Sequence, residues 1–278
     1  MILVSGAHGQ LGSGILAQLR AQGIDAVGGS RTTADGIRQL DFDEPTTLDL
    51  TGVETLVMVS AGYAEDDRVV DRHGAVIDAA VRDGVGHLVY TSLIGDGDHL
   101  AFALAHRATE RLIRDSGLGW TILRNGLYAE LFGSLLTWTA DGTLESAFGT
   151  GALAAVARAD LAAAAAVVAT APSVHAHKIY ELTGPPITAD QVADRLGTTH
   201  RTVDLGTYRA RVLAVDGLLP FQPPMLVSIA TSIRHGFLAD PSPDLEKLLG
   251  RPVTDPLTVA AELTALLRPS PARAPVPS

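Results

Sequence analysis

The sequence contains no cysteine and only two lysines among its 278 residues. The absence of cysteine excludes disulfide bonds and thiolate metal ligands, and it fits a reducing compartment. The two lysines are Lys178 and Lys247, so the first half of the chain carries its positive side-chain charge on arginine. A formal net charge of −10 argues against non-specific binding to nucleic acid, because neutralising phosphates requires a basic surface.

Long apolar runs are also absent from the sequence. No window reaches the ~18 uncharged apolar residues of a membrane-spanning helix. The alanine-rich run Ala159–Ala171 comes nearest, but it contains Asp160, and we interpret it as a buried helix. Met1 leads directly into Ile2-Leu3-Val4, which does not resemble a secretory signal. The sequence therefore predicts a cytoplasmic protein that binds neither nucleic acid nor a membrane.

Short apolar runs alternate with longer helical patterns along the first part of the chain. This alternation is typical of βαβ units around a parallel sheet, whose buried strands read as continuous apolar runs. The rhythm changes after about residue 130, so we predict a doubly wound α/β fold of Rossmann type with its nucleotide-binding domain in residues 1–130. Residues 269–278 are rich in proline and are predicted to form a disordered tail. The predicted strands are Ile2–Ser5, Ala26–Gly28, Gly36–Leu40, Glu54–Ser60, His87–Thr91, Trp120–Arg124 and Lys178–Leu182.

A glycine-rich turn lies between the first predicted strand and the first predicted helix. Its segment, Gly6-Ala7-His8-Gly9-Gln10-Leu11-Gly12, has the spacing Gly-x-x-Gly-x-x-Gly. Glycines there permit a tight turn, a close approach of the backbone to a pyrophosphate and close packing of helix on strand. Phosphates then meet the free N–H groups at the helix N-terminus. The pattern predicts a dinucleotide site, and the alternative is a glycine turn that binds no ligand.

The end of the second predicted strand indicates which dinucleotide binds. Folds that prefer NAD place a carboxylate there, on the ribose 2′-hydroxyl, about 20 residues after the turn. This chain has Gly28-Gly29-Ser30-Arg31 instead. Because the guanidinium of Arg31 can pair with a 2′-phosphate, the sequence favours NADPH, with a solvated loop arginine as the alternative. Asp41 and Phe42 follow the third strand, where they either flank the adenine or form a surface turn.

The Tyr-x-x-x-Lys pair of the short-chain dehydrogenases is missing. None of the five tyrosines is followed four positions later by lysine, so alcohol–ketone chemistry through that pair is disfavoured. Delivery of hydride to an electron-poor quinone needs little acid–base help and fits better. The tyrosines are Tyr63, Tyr90, Tyr128, Tyr180 and Tyr208.

Several further segments occur in the order and spacing of one family. They are Gly6–Gly12, His87–Leu93, His106–Glu110, Arg124–Tyr128, Ala157–Asp160, Tyr180–Gly184 and Leu249–Pro252. Together they resemble the NmrA-like atypical short-chain dehydrogenases, and within that group the bacterial NAD(P)H:quinone oxidoreductases and the triphenylmethane reductases. The resemblance extends to about residue 268. It implies a Rossmann domain that carries NADPH, with residues 131–268 returning to the core and forming a smaller C-terminal α/β part that binds substrate.

The resemblance also implies a role for each matching residue. The glycine turn would hold the pyrophosphate, and Arg31 the 2′-phosphate. The turn after the fourth strand would line the path of the cofactor, and the residues that follow the fifth and sixth strands would surround the nicotinamide. The implied cofactor-binding residues are Gly6, His8, Gly9, Gln10, Leu11, Gly12, Arg31, Asp41, Phe42, Ser60, Ala61, Gly62, Thr91, Ser92, Gly126 and Arg158.

Three residues are predicted to be catalytic: His106, Tyr128 and Asn125. His106 either hydrogen-bonds the nicotinamide ribose or donates to the reduced acceptor, since the pKa of histidine lies near neutrality, or it is a plain polar residue of a helix. Tyr128 either hydrogen-bonds an acceptor oxygen or is a core ring. By the resemblance, Asn125 would flank the nicotinamide. No spacing of histidines demands a metal ion, and no metal site is predicted.

The leading prediction is an NADPH-dependent oxidoreductase that passes hydride directly from the nicotinamide to a quinone-like acceptor, without a flavin. Its apolar pocket is expected from Tyr128, Phe132, Trp138 and a proline-rich loop over Leu218–Pro224. The alternative is a regulatory protein of NmrA type that senses NADP(H) without turnover. The expected partner is a small aromatic or quinone-like molecule, and a homo-oligomer is left open.

Overall fold

Twelve strands are formed within residues 1–269, the part of the chain that the computed structural model describes apart from the side chain of Asp96. The predicted tail therefore lies outside the described residues, except for Pro269. The strands are β1 (Ile2–Ser5), β2 (Ala26–Ser30), β3 (Ile37–Gln39), β4 (Thr55–Val59), β5 (His87–Leu93), β6 (Gly119–Asn125), β7 (Thr137–Trp138), β8 (Leu144–Ser146), β9 (Ala152–Ala154), β10 (Lys178–Leu182), β11 (Pro186–Thr188) and β12 (His200–Thr202).

Seven of these strands form a central parallel sheet in the order β10-β6-β5-β4-β1-β2-β3. The order runs in one direction from β1 through β2 to β3 and in the other from β4 to β10, so the connections diverge between β1 and β4. A crevice opens outside the carboxyl ends of the strands at such a point. The predicted α/β fold of Rossmann type is confirmed, and each predicted strand is present with its ends shifted by at most two residues.

Helices cover both faces of the central sheet and build a second layer around the C-terminal part. The helices are α1 (Gln10–Ala21), α2 (Asp66–Arg82), α3 (Ala103–Asp115), α4 (Ala129–Ser134), α5 (Arg158–Thr170), α6 (Pro172–His175), α7 (Ala189–Arg195), α8 (Leu205–Leu213), α9 (Gln222–Arg234), α10 (Asp244–Leu249) and α11 (Pro256–Leu266). Helices α1 and α5 pack together on one face of the sheet, and α2 and α3 pack together on the other.

The alanine-rich run forms α5, as predicted, and most of its side chains are buried. Small side chains allow α5 to approach α1 so closely that a Cβ atom on Gly14 would lie 3.2 Å from the Cβ atom of Ala162. The helix is too short to be a membrane span. Across residues 1–269, no helix combines the length and the apolarity that crossing a membrane requires.

The C-terminal part has a core of its own around Phe132, Phe148 and Ile233. Two small sheets accompany it, with β11 antiparallel to β9 and with β8 between β7 and β12. These strands have two or three residues each, which is too short for a periodic pattern to predict them. Strand β10 comes from the same half of the chain but pairs with β6 in the central sheet. The division into residues 1–130 and 131–268 stays a prediction.

One predicted loop is wrong in its last three residues. The segment Leu218–Pro224 was expected to be irregular because of its prolines, but α9 begins at Gln222. Pro223 and Pro224 occupy the first turn of that helix. A missing N–H group costs nothing there, since the first turn has no carbonyl partner for it, and the fixed φ of proline suits the helix.

A buried carboxylate joins two distant segments of the chain. Asp160 lies in the first turn of α5, and its Oδ1 accepts a hydrogen bond from the guanidinium of Arg251 at 2.7 Å. Its Oδ2 accepts from the backbone N–H of Thr254 at 2.6 Å. The segment that follows α10 is therefore fixed to the start of α5.

Two glycine-to-alanine substitutions within helices should have opposite effects. A Cβ atom on Gly12 would lie 2.3 Å from the carbonyl oxygen of Gly6, whereas one on Gly74 would meet its nearest neighbour, Leu112, at 3.9 Å. We expect Gly12→Ala to lower the free energy of unfolding by about 1–3 kcal/mol, because only backbone could move aside. Gly74→Ala should raise it by about 0.5–1 kcal/mol through helix propensity. Urea denaturation measures both, and equal effects would contradict this account of the turn.

Candidate active site

A cavity of about 850 Å³ lies at the carboxyl ends of the central strands. It extends along the crevice from the end of β2 to the end of β6, across the point where the strand order diverges. The lining contains every predicted site residue: Gly6, His8, Gly9, Gln10, Leu11, Gly12, Arg31, Asp41, Phe42, Ser60, Ala61, Gly62, Thr91, Ser92, His106, Asn125, Gly126, Tyr128 and Arg158.

The glycine turn leaves the N-terminus of α1 open toward this cavity. Gly6 has a φ of 64°, a left-handed conformation that suits glycine, and its carbonyl accepts a hydrogen bond from the Gly9 N–H at 2.8 Å. Helix α1 begins directly after Gly9, with no side-chain cap and no acidic residue in its first turn. Its first N–H groups and the positive end of its dipole are therefore available to an anion.

Arginines at the β2 end of the cavity differ in their partners. Arg72 forms a two-point ion pair with Asp43, with N–O distances of 2.9 and 2.7 Å, and Arg68 binds the same carboxylate. These interactions lower the pKa of Asp43, chiefly through the hydrogen bond from Arg72. Arg31 lies in the lining, is exposed, and forms no ion pair within residues 1–269. Its charge is therefore available to a bound anion.

The turn after β3 is a surface turn that also borders the cavity. Oδ1 of Asp41 accepts a hydrogen bond from the N–H of Asp43 at 3.0 Å, so this carboxylate does stabilise a local turn. Asp41 and Phe42 nevertheless also line the cavity, and the ring of Phe42 meets His73 edge-on at 6.4 Å.

Two buried side-chain oxygens in the lining have no hydrogen-bond partner within the described residues, the Oγ of Ser60 and the Oδ1 of Asn125. Ser60 follows β4, and Asn125 ends β6 with only 7% of its surface exposed. Leaving a buried polar atom without a partner costs about 1–3 kcal/mol. Atoms of this kind at the edge of a cavity are suited to hydrogen bonds with a ligand.

The fully buried ring of His73 accepts a hydrogen bond from the turn that follows β4. The N–H of Ala61 donates to Nε2 of His73 at 2.9 Å, so this ring carries its proton on Nδ1. Nδ1 then donates to the hydroxyl of Thr109 at 2.8 Å, and that hydroxyl donates to the carbonyl of Ala105 at 2.7 Å. Burial lowers the pKa of His73 to about 3, so the ring is neutral near pH 7.

His106 is bonded to a buried tyrosine. Its Nδ1 lies 2.9 Å from the hydroxyl of Tyr90, whose side chain is completely buried. Burial, with a smaller contribution from Arg107, lowers the pKa of His106 to about 4. The expectation that this pKa lies near neutrality is therefore wrong. At neutral pH the ring carries no charge, so it can donate a hydrogen bond but cannot serve as an imidazolium acid.

Glu110, one turn further along α3, is buried and holds three arginines. Its oxygens accept hydrogen bonds from Arg107 at 2.9 Å, Arg114 at 2.9 Å and Arg124 at 2.7 Å. The hydroxyl of Ser92 donates to it at 2.7 Å. Burial alone would raise the pKa of Glu110, but hydrogen bonds from Arg124 and Ser92 and the arginine charges lower it on balance. Sequence reasoning missed this cluster, although it fixes the end of β5.

Tyr128 lies beneath a cation. The guanidinium of Arg158 is 4.6 Å from the centre of the Tyr128 ring, which is a distance for a cation–π interaction. The backbone N–H of Arg158 donates to the carboxylate of Glu130 at 3.2 Å. Burial raises the pKa of Tyr128, so the phenol keeps its proton at neutral pH.

The apolar wall of the cavity differs from the expected one. Phe132 is fully buried in the C-terminal core against Phe148, and the indole of Trp138 donates to the carbonyl of Thr264, so the expectation for both residues is wrong. The Leu218–Pro224 segment does not line the cavity either. The wall instead contains Tyr63, Leu93, Phe102, Leu127, Leu131, Met225 and Ile229.

A contact at the cavity joins the turn after β4 to the start of α9. The side-chain amide of Gln222 donates to the hydroxyl of Tyr63 at 2.7 Å. The Tyr63 ring also meets Phe221 edge-on, with 5.2 Å between the ring centres.

Within residues 1–269, no group of three or more histidine, aspartate or glutamate side chains is arranged to hold a metal ion.

The divergent parallel sheet, the open helix N-terminus and the cleft beside it define a dinucleotide-binding Rossmann protein. Residues 6–172 match the model of the NAD(P)H-binding family, so the chain belongs to that family. The match includes the glycine turn and the strands β2 to β9.

Three comparisons extend this assignment and confirm the predicted resemblance. The chain is 34% identical to quinone oxidoreductase 2 of Escherichia coli (strain K12), over 91% of this chain and 95% of the relative. The crystal structure of the NADPH-dependent quinone oxidoreductase from Escherichia coli with NADPH matches with a TM-score of 0.83 and 31% identity, over 96% of this chain and 100% of that chain. The triphenylmethane reductase of Citrobacter sp. complexed with NADP(H) also matches, with a TM-score of 0.83 and 27% identity, over 94% and 99% of the two chains.

The buried histidines should make stability depend on pH. Burial lowers the pKa of His73 to about 3 and those of His106 and His87 to about 4, from an ordinary 6.5. Above pH 6.5 neither the folded nor the unfolded state holds these protons. Between pH 6.5 and 4 the unfolded state binds more of them, so the free energy of unfolding should fall as pH falls, by up to about 1.4 kcal/mol per pH unit for each histidine.

Urea denaturation between pH 8 and 5 measures this slope. His73→Gln keeps an acceptor near the Ala61 N–H and should reduce the slope by about one proton. His235→Gln, at an exposed position, is the matched control and should leave the slope unchanged. A stability that stays constant from pH 7.5 to 5.5 in the unsubstituted chain would contradict the assignment of neutral buried rings.

Proposed function

We propose that this chain is an NADPH-dependent oxidoreductase that transfers hydride directly to a small, planar, quinone-like acceptor. One observation carries the proposal. A single cavity extends along the carboxyl ends of the strands. One end of it contains the open N-terminus of α1 and Arg31, and the other end has an apolar wall. The likeness to quinone oxidoreductase 2 and to triphenylmethane reductase supports the same reaction class.

The lining fits a nicotinamide dinucleotide at three places. Between Gly6 and Gly12 there is no space for a Cβ atom, which brings bare backbone N–H groups to the pyrophosphate. Arg31 would pair with the 2′-phosphate of the adenosine ribose. Further along, at the nicotinamide end, the partnerless Oδ1 of Asn125 would accept a hydrogen bond, and the hydroxyl of Ser60 would accept or donate one. When bound, NADPH supplies a hydride from C4 of its reduced nicotinamide.

The protein contributes position more than acid–base chemistry in this proposal. His106 and Tyr128 are uncharged at neutral pH, and both can donate hydrogen bonds to an acceptor oxygen. Asn125 orients the nicotinamide, and the apolar wall of Leu131 and Met225 receives a planar ring and keeps water away. Holding two reactants in line is worth several orders of magnitude in rate.

We also propose a cytoplasmic location, while the possible homo-oligomer stays a prediction.

Arg31→Ala should weaken NADPH binding selectively. Charge-assisted hydrogen bonds are worth about 1.5–3 kcal/mol, so the Kd for NADPH should rise about 10- to 100-fold, while the Kd for NADH changes less than about twofold. Titration calorimetry measures both constants. Arg111→Ala removes the same charge from the exposed face of α3 and should leave both constants unchanged. An equal loss for the two cofactors would show that Arg31 does not bind the 2′-phosphate.

Turnover itself is tested by the absorbance of NADPH at 340 nm in the presence of benzoquinones, naphthoquinones and triphenylmethane dyes. We expect oxidation of NADPH that depends on both protein and acceptor. Gly12→Ala, which closes the pyrophosphate turn, should be inactive and serves as the control. If NADPH binds tightly but no acceptor of the panel is reduced, the regulatory alternative replaces the reductase.

A further inference from the structure

The two ring nitrogens of His106 face different surroundings. Nδ1 is bonded to the hydroxyl of Tyr90 at 2.9 Å, below the cavity floor. The side chain of His106 itself lines the cavity, and its Nε2 makes no hydrogen bond within residues 1–269. Nε2 is therefore free to bond a ligand in the cavity. It donates a hydrogen bond if it carries the ring proton and accepts one if it does not.

The donor in the Tyr90–His106 hydrogen bond follows from the groups around it. Tyr90 is completely buried, and burial raises the pKa of its phenol, so the phenol keeps its proton. Within residues 1–269, Nδ1 of His106 is the one hydrogen-bond partner of the Tyr90 hydroxyl, so a proton on Nδ1 would leave the buried phenol proton without an acceptor. A neutral imidazole has one protonated and one bare nitrogen. The phenol is the stronger acid of the two, so its O–H donates and Nδ1 of His106 accepts.

We propose that Tyr90 is a positioning residue that fixes His106 in the tautomer with its proton on Nε2, so that this N–H donates a hydrogen bond to the carbonyl oxygen of the acceptor. The inference rests on the proposed reductase function and adds the group that stabilises the reduced oxygen. A neutral donor aimed at the place where negative charge develops is the arrangement that stabilises an oxyanion.

The chemistry balances without a proton from the protein. The nicotinamide C4–H bond breaks, and its hydrogen with both electrons forms an O–H bond at one oxygen of the quinone, so the second oxygen becomes negatively charged. That oxygen is held by the Nε2–H of His106 and then takes its proton from water, which completes the hydroquinone. His106 ends in the state in which it began, in agreement with a ring that stays neutral near pH 7.

The tautomer can be observed directly by nitrogen-15 NMR of the imidazole rings in the full-length protein with NADPH bound. We expect His106 to show a bare, hydrogen-bonded Nδ1 and a protonated Nε2. Tyr90→Phe should shift the Nδ1 signal of His106. It should also broaden or split the two nitrogen signals of this ring, because the ring loses its fixed orientation. A wild-type protein with the proton on Nδ1 would overturn the inference, whatever the variants do.

Kinetics test whether Tyr90 acts through His106. Tyr90→Phe should lower kcat about tenfold for a quinone, with the KM for NADPH within about twofold. In a His106→Ala background, Tyr90→Phe should change kcat by less than about twofold, because the group through which it acts is gone. Losses that multiply in the double variant would overturn the inference.

The fold supplies a matched control at a second tyrosine–histidine pair. The hydroxyl of Tyr180 lies 2.8 Å from Nδ1 of His175, and neither residue lines the cavity. Tyr180→Phe should leave kcat and the His106 signals unchanged. Absence of turnover in the wild type would overturn the proposed function together with the acceptor contact. Normal turnover that Tyr90→Phe does not slow would overturn this inference alone.

Discussion

The buried carboxylate of Glu110 is the constraint on which the geometry of the cleft depends. It lies on α3 and binds Arg107 and Arg114 of the same helix as well as Arg124 of β6. Arg124 also binds Glu181 of β10 at 2.9 Å. Removing one partner from a buried ion pair costs about 3–5 kcal/mol, because the remaining charge is left without compensation. The helix and these strands therefore keep one relative position, and the residues at the cavity edge keep theirs.

Helix α3 carries two polar networks of different character. The charged one, around Glu110, faces the ends of β5 and β6. The neutral one joins Thr109 to His73 and His106 to Tyr90, and burial keeps both rings uncharged. The charged side chains of the α3 network are thus paired with one another, while the side chain of this helix that lines the cavity, His106, is an uncharged hydrogen-bonding group. This separation suits a reaction in which negative charge appears briefly on an acceptor, because a permanent carboxylate there would oppose it.

The central sheet and the cofactor side of the site could be predicted because their signals are local. Strands show as apolar runs, and the glycine turn depends on contacts between Gly6 and Gly12, six residues apart. The apolar wall could not be predicted, because it depends on how a helix is rotated. On α4, Leu131 faces the cavity while its neighbour Phe132 faces the core, and six residues give too little periodicity to choose between them. The low pKa of His106 arises from burial by distant segments, which no local pattern records.

The contact between Tyr63 and Gln222 is much weaker than the ion-pair cluster around Glu110. It joins two segments 159 residues apart through one hydrogen bond and one edge-on ring contact. Each of these is worth about 0.5–1.5 kcal/mol, so breaking both costs about 1–3 kcal/mol. A state that lies this far above the ground state is populated at about 0.6–16%. This contact at the edge of the cavity thus opens by ordinary thermal motion, and its opening leaves the ion pairs of Glu110 intact.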